Sequence, residues 1–194
     1  STPREGDILV RVKTCGICAS DIKTYNLGKS HYFTPPVILG HEYVGEVVET
    51  GEENGGIKKG NLVSVIPALS CGRCPHCLRG LFNLCKNKLR PSNGGFAEYV
   101  RIPAQMAKES LIKLDSGARL KKELTLAEPL ACCISAVDQC NVDAGATVLI
   151  VGSGVMGLLL SKVSLLCGAR TVYITEIDSR RAGLVRDKTD RKST

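Results

Sequence analysis

The chain has 194 residues, enough to bury a real core in one large or two small domains, and its 43% hydrophobic and 23% charged residues are ordinary for a globular protein. Tryptophan is absent and aromatic residues make up 4%, so the core must rest on Val, Leu, Ile and Ala. The formal charge of +7 is scattered, and its densest cluster (RRAGLVRDKTDRK, 180–192) is interleaved with acids, which argues against a nucleic-acid partner.

The first residues, STPREGDILVRVK, contain no apolar signal core, and the most apolar later segment, VMGLLLSKVSLLC (155–167), is broken by Lys162 and too short to cross a bilayer. A cytoplasmic location without membrane contact is expected, and the ten cysteines read as thiols or metal ligands rather than disulfides. From residue 7 to about 103 the pattern is β-rich. DILVRVKTC and EYVGEVVETG alternate apolar and polar residues, and NLVSVIPAL and GFAEYVRIPA follow, separated by the turn-rich pieces FTPP, GEENGG and RPSNGG. Short strands without a long helix predict a barrel-like or sheet-rich domain, with a cysteine-rich excursion between two of its strands.

Around residue 126 the character changes. LAEPLACCISAVDQC has helical spacing, with Pro129 tolerated in the first turn. TVLIV then reads as a buried parallel strand, VMGLLLSKVSLLCGA as a helix ended by Gly168, and TVYIT as a second strand, which together make a βαβ unit. The final DSRRAGLVRDKTDRKST starts with a capping Asp178 or Ser179 and has no apolar residue to pack beyond Val185. Two parallel strands cannot bury themselves, so this half of the chain is expected to be incomplete.

Cys71, Cys74, Cys77 and Cys85 follow the pattern C-x2-C-x2-C-x7-C. Four thiolates satisfy a tetrahedral zinc with no open position, and the short spacers let the backbone wrap one ion while the long one brings the fourth sulfur from the far side. An iron–sulfur centre is the competing reading, since it also takes four cysteines. His76 is read as a bystander. A second set is dispersed: Cys15 and Cys18 in TCGICASD, His41 and Glu42 in LGHEYVG, and Glu128 in LAEPL. A thiolate, an imidazole and a carboxylate would supply a catalytic zinc with mixed ligands and one position for substrate. Asp21 could hold the second nitrogen of His41 and set its tautomer.

The stretch TVLIVGSGVMG places G-x-G-x-x-G at Gly152, Gly154 and Gly157, after a strand pattern and at the opening of a helix, as dinucleotide binding requires. Helix N-terminal amides there would receive a pyrophosphate. Glu176, 24 residues after Gly152, falls where a carboxylate can bind both adenosine-ribose hydroxyls and repel a 2′-phosphate, which favours NAD over NADP. Arg180 and Arg181 lie close enough to weaken that preference.

This constellation resembles the zinc-dependent medium-chain alcohol dehydrogenase family, and within it the polyol and threonine dehydrogenase branch. The segments CGICASD, GHEYVGEVVETG, the four-cysteine lobe, GGFAEYV and AEPLACCISAV leading to VGSGVMG stand in the family's order over nearly the whole chain. The resemblance implies an α/β fold with a β-rich part. A GroES-like β-barrel catalytic domain carrying a zinc lobe would span residues 1–130, and a partial Rossmann domain 131–194. It implies Cys18, not Cys15, as the thiolate ligand of a catalytic Zn2+, with His41 and Glu128 beside it and Glu42 binding the ion in some states. Cys71, Cys74, Cys77 and Cys85 would hold a structural Zn2+. Ser20 would relay the substrate proton and Asp21 would support the ligands. Gly152, Gly154, Val155, Met156, Gly157, Glu176 and Arg181 would meet the dinucleotide.

The implied reaction passes hydride from a secondary alcohol or polyol, activated by zinc as a Lewis acid, to a nicotinamide cofactor. The family often has a histidine where this chain has Lys23, which leaves the outer proton route open. The resemblance further implies a chain truncated at both ends and a homo-oligomer, dimer or tetramer, in full-length form. The competing readings are a non-catalytic zinc-binding module, an inactive fragment of such a dehydrogenase, and a zinc-independent reductase of the same broad superfamily.

Overall fold

In the computed structural model, which describes residues 4–28, 35–50, 56–114 and 122–183, the chain divides into two units, Ser1–Glu128 and Pro129–Thr194. The first is built on one antiparallel sheet. Apolar residues at alternate positions of β1 (Ile8–Gly16) bury Ile8 and Val10 completely. β2 (Glu42–Glu49) lies beside it in a register that sets Cys15 opposite Tyr43 and Gly16 opposite Glu42. β3 (Leu62–Val65), β4 (Tyr99–Ile102) and β5 (Leu111–Lys113) complete the order β4-β1-β2-β3-β5. Met106 and Ala107 of α2 (Ala104–Ser110) pack into the same core as Val47, Val63, Val100 and Ile102. Each such aliphatic side chain contributes about 1.5–3 kcal/mol on full burial.

The β-rich expectation holds for this unit, but the barrel does not. Among the described residues the sheet is open, with β4 and β5 as its two edges. These strands are four and three residues long and do not pair with each other, so the staggered ladder that closes a barrel is missing.

A helix unannounced by any apolar periodicity, α1 (Ala19–Leu27), follows β1. Its ends explain it. The Asp21 carboxylate accepts the N–H of Cys18 at the start (3.0 Å), and Gly28 stops it in the left-handed region with φ 63°. Ile22, Tyr25 and Leu27 are exposed and Asp21 is its one buried residue, so the helix carries no apolar stripe.

The second unit holds most of α3 (Ala127–Gln139), then β6 (Thr147–Val151), α4 (Val155–Leu166) and β7 (Thr171–Thr175). β6 and β7 are parallel, paired from Thr147 and Thr171 to Val151 and Thr175. Cys133, Val137 and Val163 form a small core. The expected full burial of TVLIV is not met: Ile150 is buried, but Leu149 is 64% and Val151 84% exposed. A parallel strand is buried on both faces only where helices cover both, and two strands with few helices cannot supply that cover. The terminal stretch beyond Gly183, including the piece expected to lack packing residues, lies outside the described residues. Among those described, no helix is long and apolar enough to cross a membrane.

Candidate functional site

The chain leaves the sheet after β3 and returns at β4. The neck of this excursion is closed by Leu69 and Leu89, whose backbone groups exchange hydrogen bonds at 3.0 and 2.9 Å. Beyond the neck stand Cys71, Cys74, Cys77 and Cys85, brought round by two 3₁₀ turns, Cys77–Arg79 and Phe82–Leu84. Cys71 and Cys85 sulfurs are 3.6 Å apart, Cys74 and Cys77 3.5 Å, and Cys71 and Cys77 4.0 Å. A tetrahedron with zinc–sulfur bonds of about 2.3 Å has edges of about 3.8 Å, so the four sulfurs fit one ion. An iron–sulfur cluster spreads its cysteines over several metal atoms, which this spacing does not accommodate.

The lobe's Leu78, Phe82 and Leu84 are exposed, so little apolar burial holds this loop together. The N–H of Cys77 holds the Cys74 thiol down to about 6, while burial pushes Cys77 up to about 11. The Cys71 thiol is lowered too, first by the N–H of Arg73, so backbone amides of the loop favour the thiolate form that a metal ion takes. His76 is not one of the donors.

A second group forms where β1, α1 and β2 meet. Cys18, His41 and Glu42 each offer a donor atom, and all lie within 4.8 Å of one another. Asp21, 5% exposed, organises the group. One of its oxygens accepts the Cys18 N–H at 3.0 Å; the other accepts the Gly40 N–H at 3.1 Å and lies 3.3 Å from His41 Nδ1. With Nδ1 so engaged, Nε2 is the nitrogen left for an ion.

The segment 38–40 before His41 is clamped in turn against 94–96: Gly94, Phe96 and Gly95 donate to the carbonyls of Ile38, Leu39 and Gly40 at 2.9, 2.9 and 2.7 Å. Glu42 is buried at the start of β2, and a Cβ on Gly16 opposite it would collide with its carboxylate. Sulfur, nitrogen and oxygen donors with a supported imidazole are the donor set of a zinc site that keeps a position open. Cys15 stays outside this group, its thiol pushed up to about 11 by burial. Glu128 stands in the first turn of α3 and is not among the group's donors. Ser20 is exposed in the first turn of α1.

In the second unit, β6 ends in a tight turn at Gly152 (φ 97°), and Gly154 opens α4. Gly157 sits so close beneath that a Cβ would strike the Gly152 carbonyl. The turn borders a cleft of about 270 Å³ whose lining includes Gly152, Gly154, Thr175, Glu176 and Arg181. Val155 and Met156 follow in the first turn of α4 outside that lining, and Gly157 lies below it. Glu176 is held by the N–H of Asp178 at 3.0 Å, the N–H and hydroxyl of Ser153 at 2.9 and 2.8 Å, and the Arg181 guanidinium at 3.3 Å. These bonds pull its carboxyl down to about 2. Unfilled amides at the start of α4 beside a cleft fit a phosphate-bearing ligand. Sequence reasoning missed Ser153, because the glycine motif prescribes only its glycines; a hydroxyl between two of them was the available signal.

Residues 4–115 match the alcohol dehydrogenase GroES-like domain family. A sorbitol dehydrogenase of Halalkalibacterium halodurans is 37% identical over 96% of this chain and 53% of its own length. An L-threonine 3-dehydrogenase of Streptomyces coelicolor is 33% identical over 93% of the chain and 53% of its length. A crystal structure of a zinc-binding dehydrogenase from Sinorhizobium meliloti 1021, bound to NADP, is 38% identical, with a TM-score of 0.83 over 96% of this chain and 54% of that one. The chain thus spans about half the length of the curated relatives it matches. With the family match covering the sheet, the lobe and the mixed cluster, the chain belongs to the zinc-dependent medium-chain alcohol dehydrogenases.

Proposed function

We propose that the chain is the zinc-holding and dinucleotide-contacting part of an oxidoreductase that moves hydride between a secondary alcohol or polyol and NAD. The observation that carries this is the convergence of Cys18, His41 and Glu42, with Asp21 fixing both the imidazole and the Cys18 backbone. A bound zinc supplies Lewis acidity toward an alcohol oxygen, and a bound nicotinamide supplies the hydride acceptor.

The chain's own residues do the rest. Cys18, His41 and one acid hold the ion, Glu128 or, in some states, Glu42, so that a position stays open for substrate. Asp21 keeps His41 in the tautomer that presents Nε2. Ser20, two residues past Cys18 and exposed, takes the substrate proton toward solvent, with Lys23 next along the exposed helix. The lobe's four cysteines hold a second, structural zinc.

Gly152, Gly154 and the start of α4, including Val155 and Met156, receive the pyrophosphate, and Gly157 lets helix and strand approach. The ionised Glu176 accepts from ribose hydroxyls, which favours NAD, while Arg181 is the residue of this chain that a 2′-phosphate would engage. Sorbitol and threonine, which give two relatives their names, both carry secondary hydroxyls, which supports that substrate class. A reducing compartment, the cytoplasm, suits a site of four thiolates.

The test is NADH formation with a panel of polyols and amino alcohols in the parent protein that carries this sequence. Turnover is expected with NAD and lost in Cys18→Ser; turnover that survives this change removes the assignment. Glu176→Ala should weaken NAD more than NADP, and equal loss would undo the ribose role.

A further inference from the structure

Four donors surround the Glu176 carboxylate, and a carboxylate offers about four acceptor sites. Oε2 accepts both the N–H and the hydroxyl of Ser153, at 2.9 and 2.8 Å. Oε1 accepts the N–H of Asp178 at 3.0 Å and lies 3.3 Å from Arg181 Nη2. The two oxygens are therefore held differently. Ser153 is buried, and its backbone is fixed in the turn after β6. Arg181 is 52% exposed at its side chain and also lies 4.0 Å from Asp178. Two of the four donors are backbone N–H groups and the Ser153 hydroxyl is buried, so the exposed guanidinium is the donor an incoming ligand can displace.

We infer that Ser153 is a specificity-determining positioning residue: it clamps one oxygen of Glu176, so that the opposite oxygen, shared with Arg181, is the one an adenosine ribose meets. The inference rests on the dinucleotide reading of the cleft. A free 2′-hydroxyl can take the place of Arg181 on Oε1 as a donor. A 2′-phosphate cannot donate there, and must instead draw Arg181 away from a carboxylate that stays in place. Without the hydroxyl Oε2 keeps only the Ser153 N–H, the carboxylate is held less firmly on that side, and its choice between the two ligands weakens. The hydroxyl thus acts through Glu176 rather than by touching the ligand.

The experiment compares the full chain with Ser153→Ala and Ser153→Thr by calorimetric titration with NAD, NADP, ADP-ribose and 2′-phospho-ADP-ribose. Ser153→Ala should weaken NAD and ADP-ribose about five- to tenfold and the 2′-phosphorylated pair less than about twofold, with Ser153→Thr restoring the preference. Equal losses for both pairs, or none, would overturn the proposal, because a merely structural role of the turn moves all four ligands together. A wild-type chain that binds none of the four would overturn the dinucleotide reading and this proposal with it. A second readout needs no ligand: carbon-13 titration of the Glu176 carboxyl should move up from about 2 in Ser153→Ala. An unmoved midpoint would show that the hydroxyl does not hold the carboxylate.

Discussion

The two clusters of metal-ligating side chains in the first unit are built in opposite ways. In the lobe, four like donors lie within fifteen positions of sequence, the surrounding leucines and phenylalanine face outward, and the sulfur spacings already match one tetrahedron. In the mixed cluster, unlike donors come from the start of α1 (Cys18) and the start of β2 (His41 and Glu42), and a buried aspartate with the 38–40 clamp sets their positions. The first arrangement needs its ion to have a shape. The second has its shape from the sheet and can leave a coordination position free. That difference separates a metal that folds a loop from a metal that meets a substrate.

Removal of the lobe's ion should have the largest effect. Structural zinc contributes about 10–16 kcal/mol of apparent binding energy at neutral pH, so Cys74→Ser should abolish amide protection across 71–85. Hydrogen exchange should leave β1 and β2 protected; their loss together with the lobe would show that the two regions are not independent.

A smaller effect is expected at the mixed cluster. Asp21→Asn should weaken metal affinity there about 10- to 100-fold in a chelator competition titration, with the lobe unaffected. Glu42→Gln should weaken it more than Glu128→Gln, since Glu42 is already among the gathered donors; the reverse order would make Glu128 the principal acid.

Smaller again is a pH effect in the second unit. Glu176 has its carboxyl lowered from 4.5 to about 2, so its bonds stabilise the folded form above the unfolded value and cease to do so as pH falls through the folded one. Between about pH 4.5 and 2, β6 and β7 amides should lose protection in the wild type. In Glu176→Gln this pH-dependent part should vanish; an unchanged acid profile would mean the carboxylate contributes nothing.

The same contrast explains what was legible in the sequence. The lobe was readable because its ligands are local, and β1 because its first residues are buried on one face, which imposes alternation; β2, buried on both faces from Glu42 to Gly45, was readable from its apolar residues bounded by turns. The mixed cluster depends on strand pairing and on α1, so spacing alone left Cys15 and Cys18 equivalent; in the fold Cys15 packs against the core while Cys18 is gathered with His41 and Glu42. α1 carried no periodic signal, because it is fixed at its ends and buries only Asp21. An open sheet and a closed barrel differ in how the edge strands pair, which residue patterns do not encode. The exposure of Leu149 and Val151 follows from what surrounds β6, not from its own residues.

On the proposed reading Cys18, His41 and Glu42 grip a zinc ion separate from the one in the lobe. Zinc counted per chain by atomic emission, in wild type and Cys18→Ser, tests it most directly. Two ions falling to one, with the lobe's amide protection intact, is the expected result, given two donor groups. Two ions retained in Cys18→Ser, or a single ion in the wild type, would contradict it.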